Sequence, residues 1–100
     1  MSTFTLTRKA KADLKSIAAY TQRTWGKEQR KNYALQFDNT FNMLAKTPAA
    51  GNNCGFIKLG YRKFPVISHI VFYRSVGQTE IEIVRILHKR MDVKQQFKKT

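Results

Sequence analysis

An α+β fold ordered β-α-α-β-β-β follows from three features of this sequence. A short β-branched run opens it, and two runs of apolar residues at helical spacing stand back to back behind that run. Past residue 55 the period shortens to strand-like alternation rich in β-branched and aromatic residues. Helices followed by strands indicate α+β. The expected architecture is a helix hairpin packed on a small, mainly antiparallel sheet, in one domain of residues 1–100. A chain of 100 residues buries only about two thirds of its unfolded surface, so its core is modest.

"TFTLT", residues 3–7, alternates and reads as the first strand. Thr7 then suits the N-cap of a helix. Ala10, Leu14, Ile17, Ala18, Thr21 and Trp25 fall on one face of it, with Lys9, Lys11, Lys15, Gln22 and Arg23 mostly off that face. Gly26 supplies a stop. A second helix spans about residues 27–47, opening on the polar "KEQRKN" and carrying Tyr33, Phe37, Thr40, Phe41 and Leu44 as its stripe. Pro48 ends it. The short connection at Gly26 makes the pair an antiparallel hairpin.

"TPAAGNNCG" is a loop by its turn residues. "FIKLGYRKFP" reads as a strand alternating through Phe56, Lys58 and Leu59, with Gly60 as a bend or bulge. "ISHIVFYR" is the next strand, "SVGQ" a hairpin turn and "TEIEIVRILH" the long third strand. "MDVKQQFKK" is either a short helix with Asp92 near its start or a frayed tail. The hairpin covers one sheet face and leaves the opposite face free for a partner.

Nineteen Lys and Arg face six Asp and Glu, a net charge of +13. Such a field attracts nucleic acid, anionic lipid or an acidic protein without choosing among them. Cys54 is the one cysteine, which suits a reducing cytosol, and the absence of a Cys/His cluster argues against zinc. The N-terminal residues lack the apolar core of a signal peptide. "FPVISHIVFY", the longest apolar run, is too short to span a bilayer. Cofactor motifs are missing too: "GNNCG" fits neither common phosphate-binding glycine pattern.

The carboxylates are Asp13, Glu28, Asp38, Glu80, Glu82 and Asp92. Glu80 and Glu82 share a strand face, but no third carboxylate joins them to hold a catalytic metal. They more simply neutralise neighbouring cations. His69, before an apolar run, reads as structural. His88 ends the last strand among Arg85, Lys89 and Arg90. Its imidazole would serve as a general base in RNA cleavage, with arginines steadying the phosphorane; a basic binding surface would look the same. Lys58, Arg62, Lys63, Arg74, Arg85, Lys89 and Arg90 interleave with Tyr61 and Tyr73. That mixture suits single-stranded nucleic acid or an acidic peptide. Strand alternation puts Arg85 on the face of Ile83 and Leu87, where it needs a partner or an open groove.

Taken together, these pieces resemble the ParE branch of the ParE/RelE superfamily of bacterial toxins. Four motifs in order carry the resemblance: Ala10-Lys11-Ala12-Asp13-Leu14 with Ile17; Gly60, Arg62, Lys63 and Phe64; His69-Ile70-Val71-Phe72-Tyr73; and Arg85-Ile86-Leu87-His88 with Asp92. They span nearly the whole chain.

The resemblance implies a cytoplasmic, non-enzymatic toxin of a type II toxin–antitoxin pair that traps DNA gyrase on cleaved DNA. It implies an acidic, ParD-like antitoxin that folds onto the toxin, and contact with operator DNA only through that complex. No cofactor and no membrane enter. The expected partner contacts are Trp25, Tyr33 and Phe37 with Arg62, Lys63, Arg74, Arg85, Lys89 and Arg90. The alternative is a ribosome-dependent ribonuclease of the RelE type, with His88, Arg85 and Arg62 as its catalytic set. The tail "HKRMDVKQQFKKT" lacks the tyrosine some of those enzymes use.

Overall fold

A computed structural model describes residues 2–91 and 93–98. Strand β1 (Thr3–Leu6) leads into helix α1 (Arg8–Trp25) and helix α2 (Lys27–Lys46). A single 3-10 turn (Pro48–Ala50) and the two-residue strand β2 (Asn52–Asn53) follow. Then come β3 (Tyr61–Val66), β4 (His69–Ser75), β5 (Glu80–His88) and the short helix α3 (Val93–Lys98). The sheet order is β1-β5-β4-β3-β2, with β1 parallel to β5 and the other pairs antiparallel.

Local signals explain most boundaries. Thr7 caps α1: its Oγ1 accepts the Ala10 N–H at 3.1 Å and donates to the Val84 carbonyl at 2.8 Å. One hydroxyl thus starts the helix and ties it to β5. Gly26 separates the helices at φ 94°, a conformation that favours glycine. Ala10, Phe37, Phe41, Leu44 and Ala45 bury against Val66, Val71, Tyr73, Ile81, Ile83 and Ile86. Phe4 and Leu6 of β1 pack on the rim of this core. Trp25 departs from the expected apolar face of α1, being 66% exposed at the helix end.

Several strand assignments shift. Residues 56–59 are turns, not strand, and β3 starts only after Gly60. Their alternation has another cause: Cys54 and Ile57 point into the sheet while Phe56 and Leu59 point out. Residues 67–68 are the β3–β4 turn, with Ile67 at φ 59°. Asn52 and Asn53, expected in a loop, pair with Lys63 and Arg62.

The opposite sheet face is half covered rather than free. Phe97 of α3 stacks against Tyr61 and Phe72, with ring centroids 5.9 and 5.1 Å apart, over a second core of Cys54, Val84 and Leu87. The tail is therefore helical; Asp92 lies outside the described residues.

Candidate partner-binding site

A β-bulge decides where Arg85 points. The β4–β5 register jumps from Phe72↔Arg85 to Tyr73↔Ile83, so Val84 is an extra residue. Ile83 therefore packs under the helices while Leu87 joins the opposite core, and the shared face expected for Ile83, Arg85 and Leu87 does not form. Arg85 meets Asp13 of α1 instead. Its Nε donates to Asp13 Oδ2 at 2.8 Å and its Nη2 to Oδ1 at 3.1 Å. The Ile86 N–H donates to the same carboxylate at 2.9 Å. Both side chains of the pair are largely shielded from solvent.

Arg62 is also engaged internally, its Nη1 donating to the Gly51 carbonyl at 2.8 Å. Tyr73 is fully buried on the helix-facing side. Its hydroxyl donates to the Pro48 carbonyl at 2.6 Å and accepts the Gly51 N–H at 2.8 Å. Burial pushes the phenol's pKa up, opposed by the Gly51 hydrogen bond and the Arg62 charge. Arg74 pairs with Glu82 at 2.9 Å in an exposed bridge, of a kind that contributes little to stability.

His88 lies opposite His69, their rings edge to face at 5.2 Å. His88 Nδ1 accepts the Arg90 N–H at 3.1 Å. His69 Nδ1 is buried and has no hydrogen-bond partner among the described residues. Burial and then His88 hold the His69 pKa below its ordinary value, while Asp13 pulls the other way. Lys89 and Arg90 are exposed in the turn after β5.

The three residues of a ribonuclease site are not brought together. Arg62 and His88 sit two strands and four register positions apart, about 13 Å along the strands alone. Arg85, between them, is turned onto Asp13. Among the described residues no group of three or more His, Cys, Asp and Glu could hold a metal ion. No helix of the described residues is long and apolar enough to cross a membrane.

Two concavities among the described residues bear on binding. An apolar groove of about 380 Å³ runs between α1, α2 and β1. Of the three aromatic residues expected at a partner surface, Tyr33 and Phe37 line this groove and Trp25 does not. Phe4, Leu6, Leu14 and Ile17 complete its walls, and Arg30 and Asp38 stand among the lining residues. The inward alternation of β1 signalled Phe4 and Leu6, but only the fold shows that they stop short of a closed core. The second concavity, about 340 Å³, opens on the strand face left uncovered by α3, among Arg8, Lys58, Tyr61, Arg74 and Glu82. Arg8 and Lys58 were not singled out together by the sequence, because the start of α1 and the residue 54–60 loop meet over the strands only in three dimensions.

A family model described as "ParE toxin of type II toxin-antitoxin system, parDE" matches residues 4–93. The chain is 40% identical over 94 residues to Toxin ParE1 of Caulobacter vibrioides, covering 94% of this chain and 96% of the relative. It is 30% identical over 93 residues to Toxin ParE of Escherichia coli, covering 93% and 90%. Its fold is similar to a chain of the chromosomal ParDE TA system from P. aeruginosa, with TM-score 0.72, 24% identity and coverage of 88% of this chain and 96% of that one.

Proposed function

The chain belongs to the ParE toxin family of type II toxin–antitoxin systems, and from that premise we propose that it poisons DNA gyrase in the bacterial cytoplasm. It does so by binding rather than by catalysis, and an acidic ParD-like antitoxin neutralises it. The observation that carries the reading is the family match across residues 4–93. The scatter of Arg62, Arg85 and His88 supports it, because a nuclease needs those groups around one phosphate.

The antitoxin's seat is the apolar groove between α1, α2 and β1. An amphipathic helix fits such a groove by its apolar face, here over Tyr33 and Phe37. The net charge of +13 draws in an acidic partner and speeds encounter. Lys89 and Arg90, beyond β5, stay exposed for gyrase or for acidic residues of the antitoxin. Operator DNA is reached only through the antitoxin.

Purified protein incubated with gyrase, ATP and plasmid should accumulate cleaved DNA, and antitoxin should suppress it. Ala34→Glu places a carboxylate on the exposed lip of the groove; it should leave poisoning intact and weaken suppression by antitoxin. Unchanged supercoiling with no cleaved DNA would sink the gyrase reading. Full suppression of Ala34→Glu by antitoxin would move its seat elsewhere.

A further inference from the structure

We propose that the uncovered half of the strand face, opposite the helices, is a binding cleft for the backbone of a single-stranded nucleic acid. The register aligns Tyr61, Arg74 and Glu82 across β3, β4 and β5. These residues and Val84 line a cleft of about 340 Å³, with Arg8 and Lys9 from the start of α1 on one side and Lys58 on the other. Four cations thus face one carboxylate, and that carboxylate already holds Arg74. A volume of this size accommodates a nucleotide unit and is far too small for a duplex.

Aromatic placement favours nucleic acid over an acidic peptide. Lys58 Nζ stands 5.9 Å from the Tyr61 ring centroid at the cleft wall. Lys63, next along the same strand face, stands 6.0 Å from the Phe56 ring. Phe56 is 67% exposed on a loop anchored inward by Cys54 and Ile57. Each ring therefore has an ammonium beside it. The exposed face of Phe56 takes a base by stacking while the neighbouring cation takes its phosphate; Tyr61, buried beside Phe97, serves as the cleft wall and holds Lys58 in place. An acidic peptide offers carboxylates but nothing flat to stack on Phe56. The α3 helix blocks the other half of this face through Phe97, so the bound strand enters between Phe56 and the start of α1.

The inference does not depend on the gyrase reading, and its test contains no gyrase. The toxin is titrated into a fluorescein-labelled oligothymidylate at several salt concentrations and followed by anisotropy. Lys58→Ala and Arg74→Ala should each weaken binding and lower the slope of log affinity against log salt by about 0.7, the contribution of one phosphate contact on a single strand. Lys15→Ala, which removes the same charge from α1 outside the cleft, should leave that slope unchanged. Glu82→Gln should tighten binding by releasing Arg74, whereas Glu28→Gln, an equal charge change on α2, should not. Retained thermal unfolding transitions confirm that the variants are folded. Equal effects of Lys58→Ala and Lys15→Ala, or of the two Glu→Gln changes, would overturn the proposal in favour of a delocalised field. Displacement of the oligonucleotide by polyglutamate of matched charge at equal concentration would overturn it in favour of an acidic protein ligand. Absence of binding at low salt would overturn it outright.

Discussion

Asp13 satisfies three donors with one carboxylate, two from Arg85 and one from the Ile86 backbone. Strand β1 stops pairing at Leu6↔Ile83, so the outer edge of β5 beyond Ile83 has no strand beside it among the described residues. The Ile86 N–H would be an orphan there, and the bulge turns Arg85 to the same edge. Removing one partner of a largely buried pair costs about 3–5 kcal/mol, much of the total stability of a small domain. Asp13→Ala should therefore lower the urea midpoint severely, and adding Arg85→Met should recover part of the loss. Equal midpoints for Asp13→Ala and the parent chain would refute the clasp.

His69 gives a second residue-scale expectation. Its folded pKa is depressed, chiefly by burial, so on acidification the unfolded chain takes up the proton first, near the ordinary value of about 6.5. More protons on the unfolded state mean that stability is full above that pH and falls below it. Denaturant midpoints on either side of about pH 6.5 should show the decline, and His69→Phe, which keeps a ring beside Phe37 and His88, should flatten it. An unaltered decline in that variant would assign it to other groups. At this scale the sequence was half legible. It marked Arg85 as needing a partner and Asp13 as part of a motif. It could not join them, because 72 positions separate them and the bulge that aims Arg85 depends on the facing strand.

At the scale of elements, the segment between α2 and β3 shows how a loop is locked. Tyr73 of β4 reaches through the sheet edge to hold both Pro48 and Gly51, and Arg62 grips Gly51 from β3. A Cβ on Gly51 would overlap the Tyr73 hydroxyl and come within 2.8 Å of the Lys63 carbonyl oxygen. Backbone cannot yield as a side chain can. Gly51→Ala should thus cost about 1–3 kcal/mol, the usual range for overpacking, read as a lowered midpoint with an unchanged denaturant slope. A neutral result would mean that the loop reseats freely. The helices were legible almost to the residue, because periodicity, Thr7, Gly26 and Pro48 all agree. The first part of the β region was not. Phe56 and Leu59 mimic strand alternation from within turns, and Ile67, a β-former, occupies a turn at positive φ, which local propensity disfavours.

Over the whole molecule, the excess of cations was plain in the sequence, but its division was not. The fold spends Arg62 and Arg85 on internal bonds. It leaves Lys58 and Arg74 at one end of the strand face and Lys89 and Arg90 at the far end of β5. A run of basic letters thus becomes two separate fields and two structural clasps. The apolar groove lies on the other layer, between the helices and β1, so a partner seated there need not displace one held on the strands. The parallel seam between β1 and β5 adds a matter of timing. It joins Thr3 to Glu80, parts of the chain that leave the ribosome far apart in time. The helix hairpin is built from local contacts and can form early. Its apolar underside cannot close fully until β5 supplies Ile81, Ile83 and Ile86. The folded protein therefore comes into being only once β5 has been made, and a chain interrupted before β5 carries the helices without the strand that joins β1 to the sheet.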